Sequence, residues 1–571
     1  MQWIEDQFEE SKVDFFSKEL NISKVLSKFL ISSGIKIKSE AISFLSPKLA
    51  NLTDPFDING LFDAVKRIHK AIEKNENILL VGDYDVDGIT STVIIKKLLK
   101  DFGLKAKYVI PKRKDEGYGL TLEVLSRGLE NNKIQLVIAL DCGTNSQKEA
   151  KFLQDRNIDL IVVDHHQAKE RISENIIQVN PHLKENKDKP WKFLCTAGLA
   201  FKLVHGLVKY SREQGFQKAF QIDPKDFLSL SCLGTIADLV PLNHENRIIA
   251  FHGLRYLAKN KESGLNALFK EAKLNLSKIE SEDVSFKIAP RLNACGRLDS
   301  PEVAVSLLME KNDETCSSLA KEIETFNNER KGIETIITQQ ALLQAEQQFS
   351  KLPAVVAFEE SEKWNPGVVG IVAGKLANLL SKPCVVLAKS GPDFKGSGRG
   401  VPGINLVKCL EKCKHLLVHW GGHPAAVGLT VKGDLIRDFR NKFTEEISKN
   451  LENLLQEPSI KISTNIEKQD LNFRLIQDLN RMAPFGQGNP EPILTIKKIK
   501  LIHAPKKVGS GEHFQFTVNN GTDNISGIAW NMADRMPPVS DNLDLAFKLK
   551  INSWNGRERI QMILEDWKLS D

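Results

Sequence analysis

The 571-residue sequence predicts an α/β protein of several domains: a parallel-sheet domain, a long connector helix, a smaller α/β domain and a C-terminal β-barrel. Three observations predict it. Short apolar runs alternate with helical patterns from about residue 56 to 250, one unbroken helical periodicity covers about 313 to 349, and beyond about 458 the chain carries strand-like runs.

Residues 1–55 are of mixed character and are read as an N-terminal arm with a packing role. Over 56–300, the apolar runs ILLVG, AKYVI, QLVIAL and DLIVV are each followed by turn residues and then by a helical pattern such as ITSTVIIKKLLKDF. That is the signature of parallel strands buried on both faces and joined by crossover helices. Ser300-Pro301 makes a cap and first-turn pair ahead of the connector, 301–350, where Leu319, Ile323, Phe326, Ile333 and Ile336 fall roughly on one face. The second α/β unit, 351–450, has strands near AVVAF and CVVLAK and glycine-rich turns at GSGRG and GGHPAAVG. Over 455–571, beyond the turn-rich PFGQGNPEP, come five strand-like runs: ILTIKKIKLI, HFQFTV, ISGIAW, DLAFKLKIN and RIQMILEDW. With no helical pattern of comparable length beside them, they predict a small barrel of OB type.

Composition narrows the class of partner. A formal net charge of +6 is too small over this length to mark a nucleic-acid binder, so phosphate contacts must come from local basic clusters. The start MQWIEDQFEE lacks a secretory n-region and no run of 18 apolar residues occurs, so a cytoplasmic protein with no membrane partner is expected. Eight cysteines without a C-x-x-C pair argue against a zinc ribbon or a disulfide framework and are read as reduced core residues.

The stretch VGDYDVDGITS sets Asp83, Asp85 and Asp87 at alternate positions, where three carboxylates repel unless a cation lies between them. The spacing fits the start of an EF-hand loop, but its twelfth position is Ile94 rather than a bidentate Glu, and an apolar strand rather than a helix leads in. The same strand-end arrangement recurs at Asp141 in LDCG and at Asp164-His165-His166 after DLIVV, with Asp238 in GTIADLVPL as a further acid. A single Asp after a strand usually forms a turn or caps a helix. Several together point to the crevice outside the carboxyl ends of an open α/β sheet, where ligands bind. Carboxylates with imidazole make a mainly hard donor set suited to Mn²⁺ or Mg²⁺, and so many acids imply two ions.

Candidate polyanion contacts are Lys112, Arg113 and Lys114, Arg291 and Arg297 in RLNACGRLD, and Ser397 with Arg399 in GSGRG. Charge runs are usually solvated faces. Around Ser397 and Arg399, however, glycines let backbone N–H groups approach an anion while the guanidinium grips it bidentately. His423 suits substrate contact or the stabilisation of its own turn. Phe514, Phe516 and Trp530, near Lys506 and Lys507, can stack on bases, although alternating aromatics are more often core.

The ordered set DYDVDG, DCG, VVDHH and GTIADLVPL resembles the DHH phosphoesterase superfamily. RLNACGRLD, GVVGIVAGKL, GSGRG, GGHPAAVG and PFGQGNPEP extend the resemblance, from about residue 80 onward, to its RecJ branch. The resemblance implies a DHH domain over 56–300, a DHHA1-type domain over 351–450 and an OB domain over 455–571. It implies a single-stranded-DNA-specific 5′-to-3′ exonuclease of DNA repair and recombination, releasing 5′-mononucleotides by a two-metal mechanism. The implied metal ligands are Asp83, Asp85, Asp87, Asp141, His165 and Asp238, with catalytic roles for His166, Asp164 and His423. Substrate contacts fall to Asn293 and Arg297, and a pocket for the 5′-terminal phosphate to Arg113, Ser397 and Arg399. A monomer is expected, working with a RecQ-type helicase and a single-strand-binding protein. Some members carry a further domain after the barrel, for which this sequence ends too soon. Two rivals stand beside this expectation. A DHH phosphoesterase acting on short oligonucleotides, cyclic dinucleotides or pyrophosphate is disfavoured by the length and the barrel. A non-catalytic relative is disfavoured by retention of every acid.

Overall fold

The computed structural model describes residues 2–112, 116–117, 119–130, 133–168, 172–173, 176–183, 186, 189–259, 262–298, 300–450, 459–539, 541–554 and 557–570. Its first sheet is wholly parallel, in the spatial order Lys107–Val109, Ile78–Val81, Leu136–Leu140, Asp159–Val163 and Ile177–Val179. Alternation along the strands explains why both faces are covered. Ile78, Leu80 and Ile138 enter one core with the helices Val86–Asp101 and Thr196–Glu213, while Leu79, Val81 and Val137 enter a second core with Leu122–Leu129 and Gln147–Gln154. Each such side chain contributes roughly 1.5 to 3 kcal/mol by leaving water. Strand order reverses beside Ile78–Val81, whose neighbours are the next two strands in the chain, one on each side. This is a topological switch point.

The connector helix, Asp313–Phe349, starts where the Asn312 side chain accepts the Thr315 N–H at 2.9 Å. Its 37 residues span about 55 Å at 1.5 Å per residue. Cys316, Ala320 and Ile323 belong to the core of the first domain, whereas Ile337, Ala341, Ala345 and Phe349 belong to that of the second. The expected single apolar face fails at Ile336, which is 57% exposed. Mid-helix, the buried stripe is polar instead: Arg330 donates to Asn327 and Glu334, both at 2.7 Å.

The second sheet runs Leu417–His423, Ala426–Val431, Asp393–Arg399, Cys384–Ser390 and Val355–Glu359, with only the last pair parallel. Most of GSGRG and of GGHPAAVG, expected as turns, is strand; Gly400 lies just past Asp393–Arg399, and Pro424 and Ala425 turn between Leu417–His423 and Ala426–Val431. The glycines serve close approach within the sheet, since a Cβ on Gly396 would lie 2.1 Å from the Val386 carbonyl oxygen.

In the C-terminal domain, each of the five strand-like runs contains a strand, and two short strands complete a seven-stranded sheet. The helix Phe473–Met482 was not anticipated; Asn472 caps it and it buries Leu475, Ile476, Leu479 and Met482. Phe514 and Phe516 are core residues, and Trp530 is 51% exposed. The N-terminal segment joins this domain. Gln2–Glu5 pairs in parallel with Ser459–Ile462, and Ile22, Leu26, Phe29 and Leu30 share the core with Ile496, Phe514 and Phe547. All eight cysteines are buried free thiols. Among the described residues, no helix is long and apolar enough to cross a membrane.

Candidate metal centre

The acids converge at the carboxyl ends of the first sheet, at its switch point. Asp83, Asp85 and Asp87 follow Ile78–Val81, Asp141 follows Leu136–Leu140, and Asp164, His165 and His166 follow Asp159–Val163. Asp238 arrives from the end of the helix Leu228–Ala237. Asp83, Asp87, Asp141 and Asp164 are at most 1% exposed. Donor atoms of three groups lie within 4.8 Å of one another: Asp83 with Asp85 and Asp141, Asp87 with His165 and Asp238, and Asp141 with His165 and His166. Asp141 and His165 are each shared by two groups. His165 Nε2 stands 3.4 Å from Asp141, 3.5 Å from Asp238 and 3.7 Å from Asp87.

Local structure fixes these side chains. Asp85 caps the helix Val86–Asp101 by accepting the Gly88 N–H at 3.1 Å. Asp87 accepts the Thr196 and Ala197 N–H groups, both at 2.8 Å, at the N-terminus of the helix Thr196–Glu213, where backbone dipoles favour a carboxylate. The Thr196 hydroxyl donates to Asp141 at 2.9 Å. Asp141 has φ 63°, a left-handed conformation that Asp tolerates better than most residues. Asp164 accepts the His165 N–H at 2.8 Å, the Thr144 N–H at 3.1 Å and the His166 ring at 2.8 Å. It therefore orients the histidine pair.

Electrostatics follow from this crowding. Burial, reinforced by Asp87, Asp85, Asp83 and Asp164, pushes the Asp141 carboxyl well above its usual range. Burial and the charges of Asp87 and Asp85 push Asp238 up to about 9. Burial lowers His165 against the opposing charge of Asp87. At His166 burial opposes protonation, but the hydrogen bond and charge of Asp164 win and raise it to about 9. At Asp164 burial acts upward and is overcome by the His166 contact, so its pKa falls below the usual carboxylate range. A divalent cation offsets the mutual repulsion of the remaining acids, and the donor set of carboxylate oxygens with imidazole fits Mn²⁺ or Mg²⁺.

A cleft of about 1180 Å³ between the first two domains is lined by Tyr84, Arg297, Phe326, Trp364, Ser397 and Trp420 among others, so of the other expected site residues it takes in Arg297 and Ser397. Arg297 donates to the Gly367 carbonyl at 2.8 Å, linking the domains, and Asn293 accepts the Val86 N–H at 3.1 Å. Ser397 and Arg399 lie over the start of the helix Val369–Leu380: a Cβ on Gly370 would stand 3.2 Å from Ser397 Oγ and 3.7 Å from Arg399 Nη2. His423 is exposed at the end of its strand, beside Ala426, which in turn pairs with Arg399. His182 is lowered to about 4, chiefly by burial and further by the charges of His165, Lys192, His423 and His166. Arg291 is engaged by Glu324 at 2.6 Å. Arg113 and Lys114 lie outside the described residues.

Sequence reasoning missed Thr196, Thr144, Asn180, His182 and Trp420. Asn180 follows the strand Ile177–Val179 and donates to Thr144 Oγ1 at 2.8 Å and the His166 carbonyl at 2.9 Å, so the strand-end rule that found the acids could have found it. Thr196 carries no such signal, because its role depends on where its helix is aimed.

Three protein-family models match in chain order: the DHH family N-terminal domain over residues 77–235, the DHHA1 domain over 351–449 and the RecJ OB domain over 462–566. The single-stranded-DNA-specific exonuclease RecJ of Bacillus subtilis is 32% identical over 583 residues, covering 100% of this chain and 72% of that one. Thermus thermophilus RecJ solved in complex with Mn²⁺ is similar with TM-score 0.82 and 25% identity, over 99% of this chain and 79% of that one. A structure of exonuclease RecJ bound to manganese is 29% identical with TM-score 0.60, over 70% of this chain and 97% of that one. In fold, in the order of its motifs and in sequence along its whole length, the chain belongs to the RecJ family of DHH phosphoesterases.

Proposed function

We propose that this chain is a metal-dependent exonuclease that removes 5′-mononucleotides from single-stranded DNA in the 5′-to-3′ direction. The observation that carries the proposal is the cleft that brings Tyr84, between two of the clustered acids, opposite Ser397. Asp83, Asp85 and Asp141 would hold one divalent ion and Asp87, His165 and Asp238 a second. Mn²⁺ or Mg²⁺ bound there supplies Lewis-acid stabilisation of charge on the phosphoryl group and lowers the pKa of a coordinated water.

The protein's own groups do the rest. The Asp164 carboxylate, 2.8 Å from His166 Nδ1, favours the protonated ring, so His166 would donate to a phosphoryl oxygen of the scissile group. Ser397, Arg399 and the first turn of Val369–Leu380 present donors for the terminal 5′-phosphate, and the spacing of that pocket from the acids would measure one nucleotide and set polarity. His423 and Arg297 flank the intervening strand. The barrel would grip it farther along, at a groove lined by Lys506, Phe516 and Arg559. A RecQ-type helicase and a single-strand-binding protein would supply and present such strands.

The test is Mn²⁺-dependent digestion of 5′-labelled and 3′-labelled single strands beside a duplex. Early release of the 5′ label as mononucleotide, with the duplex intact, is expected. Equal digestion of the duplex, or release from the 3′ label first, would overturn the assignment.

A further inference from the structure

Asp238 ends the helix Leu228–Ala237, and no helix or strand follows it until the helix His244–Ala258. The chain leaves it through Leu239, which has φ 56° and is 64% exposed, and is next fixed at Leu242, which is buried. That fixed point is made by the C-terminal domain. The Leu242 N–H donates to the Gln487 carbonyl at 2.7 Å, Gly486 packs on Leu242, and Gly488, at φ 73°, packs on Pro241. A Cβ would lie 2.8 Å from Leu242 Cδ1 at position 486 and 3.0 Å from Pro241 Cβ at position 488.

The turn that makes these contacts is itself rigid. Gly486 and Asn489 exchange backbone hydrogen bonds of 2.9 and 3.1 Å, and the Asn489 amide donates to the Met482 and Pro484 carbonyls at 3.0 and 2.8 Å. Arg247, from the helix that follows Leu242, donates to the Met482 and Ala483 carbonyls, both at 2.9 Å. Asn246 closes the loop by donating to the Pro241 carbonyl at 3.0 Å. The same turn also accepts the Ser281 hydroxyl at the Phe485 carbonyl, just ahead of the helix Ala289–Arg297 that carries Asn293 and Arg297.

We propose that residues 485–489 are a positioning element for Asp238: the turn ahead of the barrel clamps the 239–242 loop and so sets where this carboxylate meets the metal. The outer contacts of a metal ligand govern affinity, and displacement of a reacting group by about 1 Å can cost about 100-fold. The proposal rests on Asp238 being a metal ligand, as assigned above.

The experiment measures Mn²⁺ binding to the full chain by calorimetry, with the metal alone, and the Mn²⁺ concentration giving half-maximal rate. Wild type, Gly488→Ala, Asp238→Asn and the double variant are compared. Gly488→Ala should weaken Mn²⁺ binding about 10- to 100-fold while moving KM for a long single strand at saturating Mn²⁺ less than about twofold. Adding it to Asp238→Asn should produce little further loss, because both act on one ligand. Unchanged Mn²⁺ affinity in a folded Gly488→Ala protein, or full additivity with Asp238→Asn, would overturn the positioning role. If Asp238→Asn itself left Mn²⁺ affinity unchanged, the ligand assignment would fail instead. Should Gly488→Ala not fold, Asn489→Ser removes the two amide donors without adding volume and is judged by the same readouts.

Discussion

Arg399→Ala should slow digestion of 5′-phosphorylated single strands by about 10- to 150-fold and leave 5′-hydroxyl strands nearly unaffected. Among the described residues the guanidinium makes one hydrogen bond, from Nη1 to the Gly398 carbonyl at 2.9 Å, and pairs with no carboxylate. Its removal therefore strands no described acid, and the cost to folding is that of one hydrogen bond from a charged donor, roughly 1.5 to 3 kcal/mol. A charge-assisted contact to phosphate is worth roughly 1.5 to 3 kcal/mol, which at about 1.4 kcal/mol per decade gives the stated range. Arg399→Lys keeps the charge but loses the planar fork, so it should fall between the two. The assay is kcat/KM for wild type and both variants on strands differing only in the 5′ terminus. Equal slowing on both termini would refute the terminal-phosphate role and, with it, the account of polarity.

Asp141→Asn keeps shape but removes a carboxylate shared by two of the candidate ligand groups, and should lower kcat by several orders of magnitude while the melting temperature in chelator is retained or rises, since burial and the neighbouring acids already disfavour a charge at this position. In metal-free protein, Asp238 holds a proton up to about pH 9 that the unfolded chain surrenders near its usual 3.8, so the folded state binds more protons across that window. Stability in chelator should accordingly fall as pH rises between those values, added Mn²⁺ should reverse the slope, and calorimetry near pH 7 should register proton release on Mn²⁺ binding. Asp164→Asn removes the anion that holds His166 near 9, so the alkaline limb of the kcat/KM profile should move to lower pH; an unmoved limb would show that His166 protonation does not govern the rate.

The clustering of Asp83, Asp85, Asp87, Asp141 and Asp164 was legible because each lies within a few residues of a buried strand, and apolar runs reveal strand ends locally. Asp238 was legible only through its place in an ordered motif set, since it ends a helix. The supports were not legible: Thr196 reaches Asp87 and Asp141 only because its helix is aimed at them. Glycine-rich stretches were misread as turns for a related reason. Close backbone approach at Gly396 depends on the neighbouring strand, which composition does not reveal. The amphipathic Phe473–Met482 was within reach, as Asn472 with Leu475, Ile476 and Leu479 spells a capped helix. The pairing of residues 2–5 with residues 459–462 has no local signature at all.

That last pairing has a consequence for synthesis. The segment containing Ile22, Leu26, Phe29 and Leu30 leaves the ribosome well ahead of the barrel strands, and these residues find their core partners only after those strands, roughly 450 residues later, have been made. At about 5 to 20 residues per second, the wait is on the order of 20 to 90 s. During that interval an apolar helical hairpin is without its native cover while the two catalytic-side domains fold behind it. The chain can thus close on itself only once the barrel has been made, and truncation before the barrel leaves Ile22, Leu26, Phe29 and Leu30 without these core partners.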